Sequence, residues 1–224
     1  MPAAKSNHRR NQILQAASRL IAHYGFDKTT MEDIAREAGV SKGALYLEWP
    51  GKHELFEALL VHEMRRLLLD FQQRVERDPQ GGQIANMYRH ALLALRDNPL
   101  VSALYTQDSR VLGDYIKRQD TSRYTSRLLV GEQAVRQMQA AGLLRADIRP
   151  EVIAYLMSLI AVGLLQISSI IPTAEQPPLE DVADGLTRLI QGGLAGPGND
   201  SAAGREAAAK IIDLILQQYN EEEK

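Results

Sequence analysis

Within its first fifty-one residues the chain starts and stops three short helices, and this punctuation constrains the fold more than any other feature. Ile13, Leu14, Ala17, Leu20 and Ile21 recur three and four apart, the spacing that lays one apolar stripe along a helix, and the stripe ends before Gly25. Thr29 and Thr30 then stand ahead of Met31-Glu32-Asp33, giving acceptor side chains for free backbone amides and acids at the positive end of a second helix. That helix stops at Gly39, and Ser41 offers the next cap, ahead of Lys42-Gly43-Ala44-Leu45-Tyr46-Leu47. Pro50-Gly51 closes the third helix and opens a long fourth one, whose core face holds Leu55, Leu59, Met64, Leu67, Leu68, Phe71 and Val75.

The same periodicity continues to the end, and almost every stop is a Gly, a Pro or the Asp97-Asn98-Pro99 cluster. Further helices are predicted near Gln83 to Arg96, Leu100 to Thr106, Ser109 to Arg118, Ser122 to Ala141, Pro150 to Ile171, Pro178 to Leu194 and Ala202 to Tyr219. No strand is expected. The predicted fold class is all-α: a three-helix helix-turn-helix domain over residues 1–50, a larger helical ligand-binding and dimerisation domain over 51–198, and an extra helix with an acidic tail over 199–224.

Three short helices joined by Gly-containing turns match the helix-turn-helix plan, in which the second helix braces the third across the major groove. Ile34, Ala35, Val40 and Leu45 supply the small apolar centre such a unit needs. Through Thr29-Thr30-Met31-Glu32-Asp33-Ile34-Ala35, then Ala38-Gly39-Val40-Ser41-Lys42-Gly43-Ala44-Leu45-Tyr46 and Lys52-His53-Glu54-Leu55-Phe56, the chain resembles the tetracycline-repressor (TetR) family of bacterial transcriptional regulators. The resemblance covers about the first fifty-six residues closely and the later helical length only loosely. It implies a DNA-binding face of Thr30, Ser41, Lys42, Gly43, Ala44 and Tyr46, completed by Lys52 at the start of the fourth helix. Lys5, Arg9 and Arg10 form a basic arm suited to phosphates or the minor groove. Each residue also has a plainer role, since Thr30 and Ser41 are helix caps in any case and Tyr46 is equally suited to packing.

Two residues depart from the family pattern, Glu48 and Trp49 standing where His or Tyr and then Phe are usual. Trp49 fills the same apolar slot between the third and fourth helices. A carboxylate beside phosphates repels them, so Glu48 is expected to weaken binding to non-specific DNA, the alternatives being that it turns to solvent or pairs with a neighbouring base such as Lys52.

From Val152 to Ala174 no side chain is charged, a length that formally qualifies as a membrane span. Ser158, Gln166, Ser168 and Ser169 interrupt it and neither flank carries a Lys/Arg cluster or an aromatic belt, so burial in a subunit interface is expected instead of a membrane. The resemblance implies a homodimer seam from this helix and the next, with Leu156, Leu159, Ile160, Gly163, Ile167, Val182, Leu186 and Leu189 as interface candidates. Aromatic residues make up only 5% of the chain, so Tyr88, Tyr105, Tyr115 and Tyr124, with Met87, Met138 and Met157, are the candidates for lining an effector pocket.

A net charge of −2 makes any DNA contact a matter of a local patch. The absence of cysteine removes disulfides, thiolate metal sites and cysteine nucleophiles, and with no export signal visible the expected compartment is the cytoplasm. The histidines at 8, 23, 53, 62 and 90 form no metal-type pair, and Gly81-Gly82 and Gly192-Gly193 lack the residues of a phosphate loop. No cofactor, metal or catalytic centre is expected. The implied function is a sequence-specific regulator, a repressor that binds a near-palindromic operator in double-stranded DNA and is released by a small-molecule effector. The alternative is a helical small-molecule-binding or interaction protein that has lost operator recognition, a reading that rests on Glu48.

Overall fold

The computed structural model describes residues 2–118 and 131–222, and among them the secondary structure is helical, with one isolated bridge between Leu144 and Ala195 in place of any strand. The chain divides into two compact units, residues 1–66 with 98–121 and residues 67–97 with 122–224.

The first unit contains α1 (Pro2–Tyr24), α2 (Met31–Glu37), α3 (Lys42–Glu48), the start of α4 (Lys52–Arg77), α6 (Pro99–Thr106), α7 (Ser109–Leu112) and α8 (Asp114–Arg118). Its core is the set of apolar positions that the periodicity selects: Ile13, Ile21, Ile34, Leu45, Leu55, Phe56 and Leu59 are completely buried. This unit is more than a run of the first fifty residues. The Phe26 amide donates to the Val111 carbonyl at 2.8 Å, the Asp27 carboxylate accepts the Asp114 amide at 3.0 Å, and α6 and α7 pack on α1. The helix expected from Ser109 to Arg118 is broken at Gly113, whose φ of +52° is left-handed and whose position a side chain could not share with the Asp27 carboxylate.

The second unit contains the rest of α4, then α5 (Ile84–Arg96), α9 (Glu132–Ala140), α10 (Pro150–Gln166), α11 (Leu179–Gly193) and α12 (Ser201–Glu222). Helix α5 packs on α11, and α9 packs on both α10 and α12. The helix expected to reach Ile171 gives way after Gln166 to a 3-10 turn over Ile167–Ser169, where the Ser169 hydroxyl donates to the Gln166 carbonyl at 2.6 Å and competes with the helical ladder. The segment after Gly198 seats on the turn between α4 and α5. Asn199 Oδ1 accepts the Ile84 amide at 2.8 Å, and Arg205 donates to the carbonyls of Asp78 and Pro79 at 2.7 and 2.9 Å.

Candidate nucleic-acid interface

The local sequence places α2 and α3 by capping. The Thr30 hydroxyl accepts the Asp33 amide at 3.1 Å while the Asp33 carboxylate accepts the Thr30 amide at 3.2 Å, a reciprocal box that fixes the first turn of α2. The Thr30 hydroxyl in turn donates to Asp33, and this bond, with that from Arg36, holds the Asp33 carboxyl below its ordinary range. Ser41 Oγ accepts the Ala44 amide at 3.2 Å and starts α3. Between them Gly39, at a φ of +66°, turns the chain so that Val40 donates back to the Ala35 carbonyl at 3.0 Å. Ile34, Ala35 and Leu45 close the inner face, and Trp49 plugs its end with 4% exposure.

The outer face of α3 is thereby left to solvent. Lys42, Gly43, Tyr46 and Leu47 are exposed and Ala44 half-buried. Lys42 Nζ meets Glu32 Oε1 at 2.9 Å, and that hydrogen bond lowers the Glu32 carboxyl from its ordinary value. Lys52 is oriented otherwise. Its ammonium donates to the Phe26 and Thr29 carbonyls at 2.9 and 3.2 Å and stands 4.2 Å from the centre of the Phe26 ring, and burial lowers its pKa. Two of its three donors are therefore held inside the unit.

Glu48 neither turns to solvent nor pairs with Lys52. Its Oε1 accepts from Arg9 at 2.6 Å, with the Glu48 side chain only 14% exposed, and the neighbouring Arg10 guanidinium lies 4.8 Å from the Trp49 ring centre. Two residues of the predicted basic arm are thus fastened to the end of α3. The Lys5 side chain lies outside the described residues, as does Tyr124.

The predicted pocket residues are divided between the two compact units. Tyr105 and Tyr115 belong to the first unit, where Tyr115 packs against Phe26 and Phe56 and its hydroxyl donates to Glu57 at 2.6 Å. Tyr88, Met87, Met138 and Met157 belong to the second unit and are buried, the Tyr88 hydroxyl donating to the Met157 carbonyl. A different, shallow cleft lies there between α5, α10 and α11, with enclosed room for about one water molecule. Tyr88, Arg89, Leu92, Leu164, Leu179, Val182, Leu186 and Thr187 line it. Only Tyr88 is shared with the predicted set, because leucines and valines at helical spacing carry no sequence mark that separates a cleft wall from a core.

The predicted seam residues fall into two groups. Leu156, Leu159 and Leu189 are 41%, 50% and 70% exposed and Gly163 is exposed as well, whereas Ile160, Ile167, Val182 and Leu186 are half-buried, the last two against the cleft. By length and composition Pro150–Ser169 qualifies as a membrane-crossing helix, and only 22% of its most apolar window is buried.

Residues 13–59 match the family model described as "Bacterial regulatory proteins, tetR family". The HTH-type transcriptional regulator SrpR of Pseudomonas putida is 38% identical over 69 residues, which cover 31% of this chain and 32% of that protein. The first curated relatives are matched over about a third to a little over half of their own length. Among solved structures, a TetR-family transcriptional regulator from Rhodococcus sp. superposes with a TM-score of 0.61 at 25% identity, covering 83% of this chain and 97% of that one. NalD, the secondary repressor of the MexAB-OprM multidrug efflux pump in Pseudomonas aeruginosa, shares the fold at a TM-score of 0.57 and 21% identity, over 86% of this chain and 98% of its own.

Proposed function

We propose that the chain, whose residues 13–59 match the tetR family of bacterial regulatory proteins, is a member of that family and a sequence-specific transcriptional regulator of double-stranded DNA. One observation carries the reading: α3 is sealed on its inner face by Leu45 while Lys42, Gly43 and Tyr46 stand on an open outer face of the size a major groove admits. Lys42 exchanges Glu32 for phosphate, Tyr46 supplies a phenolic donor, and the Lys52 ammonium retains one donor for the backbone beside α4. Catalysis has no part in this function, and the cytoplasm, where the DNA is, is its compartment.

The protein acts as a homodimer through α10 and α11, so that paired α3 helices address a near-palindromic operator. It is a repressor released when a small, largely apolar effector parts α5 from α10 and α11 and widens the narrow cleft between them, Arg89 and Thr187 being its polar contacts. Such a ligand shifts the protein only by its different affinities for the DNA-competent and incompetent forms. The alternative of a helical binding protein without operator recognition loses its main support, because Arg9 neutralises the carboxylate on which it rested.

Selection of bound sequences from random duplex tests the reading. A two-fold symmetric site is expected, with binding lost by Lys42→Ala and weakened by Tyr46→Phe. Enrichment of no site, or of a site without two-fold character, overturns the regulator or the dimer respectively.

A further inference from the structure

Leu47 is 87% exposed, more than any other large hydrophobic residue among those described, and it stands on the same face of α3 as Gly43, one turn before it. Gly43 itself has a backbone that any residue adopts, and a Cβ added there meets nothing within 4 Å. Nothing in the fold therefore requires glycine at this second position of α3. A helical side chain leans back over the turn that precedes it, so Leu47 overhangs the notch that Gly43 leaves. Two neighbouring side chains are committed elsewhere, Ser41 to the Ala44 amide and Glu48 to Arg9.

Resting on the DNA-binding reading, we propose that Leu47 is a specificity-determining residue that packs on the 5-methyl group of a thymine in each operator half-site, Gly43 letting the helix backbone come close enough for it. The chemistry is selective, since thymine alone among the four bases carries an apolar group on its major-groove edge. An isobutyl side chain offers that edge no hydrogen bond, so it discriminates by methyl burial. The affinity at stake is that of one buried methyl, about fourfold per half-site.

The experiment uses the full chain and its selected duplex, with each thymine replaced in turn by deoxyuridine, which removes the methyl and keeps the pairing. Wild type is expected to lose about fourfold at one symmetry-related position per half-site. Leu47→Ala, whose thermal midpoint should equal that of wild type because the side chain is exposed, is expected to be indifferent to that replacement. Indifference of wild type at every position, or an undiminished loss in Leu47→Ala, overturns the inference while leaving DNA binding intact. Self-association that Leu47→Ala abolishes, without any methyl effect, overturns it in favour of a contact between copies. If no duplex is selected at all, the DNA-binding reading fails first and takes this inference with it.

Discussion

Arg9 and Glu48, thirty-nine residues apart, are joined at 2.6 Å, and this contact ties the first helix to the end of the third. Partial exposure of Arg9 keeps the pair modest, worth about 1 kcal/mol. In a double-mutant cycle of Arg9→Gln and Glu48→Gln, denaturant unfolding should give a coupling of about that size. A coupling indistinguishable from zero would mean two independently solvated charges. On DNA the two single variants should differ in kind: Arg9→Gln bares a carboxylate beside phosphates and should weaken binding, whereas Glu48→Gln should not.

That contact also marks where the sequence stops being legible. Thr30, Ser41 and Gly39 act through partners at most five residues away, so their caps and turn could be read directly. The partner of Glu48 depends on how α1 crosses α3, which no local pattern encodes. The same limit explains Tyr115. Its position suggested a pocket in the larger domain, yet the Phe26 and Asp27 contacts carry residues 109–116 into the first unit and bury the ring there. Lys52 was legible as a cation at the start of α4 but not in its direction, which the carbonyls of Phe26 and Thr29 set.

His62 should make the first unit sensitive to mild acid. Its Nε2 is buried without a hydrogen-bond partner among the described residues, and burial lowers its pKa, aided by Arg66 and Arg65 against the opposing charge of Glu63. The folded state thus favours neutral imidazole, and the unfolded chain takes up the proton first as pH falls below about 6.5. Stability attributable to this group is full above that pH and is lost as pH drops from there toward the lower folded value. Replacing it by a group that does not titrate, His62→Gln, should narrow the difference in thermal midpoint between pH 7.5 and pH 5.5. Equal differences in the two proteins would show that His62 is solvated.

The close seating of α12 on the turn between α4 and α5 depends on Gly204, since a Cβ there would collide with the Gly82 carbonyl. Gly204→Ala must push α12 off that turn, breaking the Arg205 bonds to the Asp78 and Pro79 carbonyls, and should cost about 1–3 kcal/mol. Arg205→Ala loses the bonds without the collision and should cost about 1 kcal/mol. Urea unfolding monitored by far-UV circular dichroism separates them. If Gly204→Ala is the milder change, α12 is not held where it is described.

Leu159 is half exposed in the middle of a helix whose most apolar window is only 22% buried, and Leu189 on α11 is 70% exposed. Under the proposed dimer, a second copy presenting the same two helices covers this apolar surface with self-complementary chemistry. The charged substitution Leu159→Arg places a desolvated cation in that seam and should convert a sedimenting dimer to a folded monomer with unchanged helicity. Its DNA affinity should fall together with the dimer, since one α3 then addresses one half-site. Lipid is the other cover that this helix's length and composition suit, so the same two proteins are mixed with neutral phospholipid vesicles and floated on a density gradient. Wild type that sediments as a monomer and floats with the vesicles would replace the dimer by a membrane contact. A Leu159→Arg variant that remains dimeric would move the seam elsewhere on the chain.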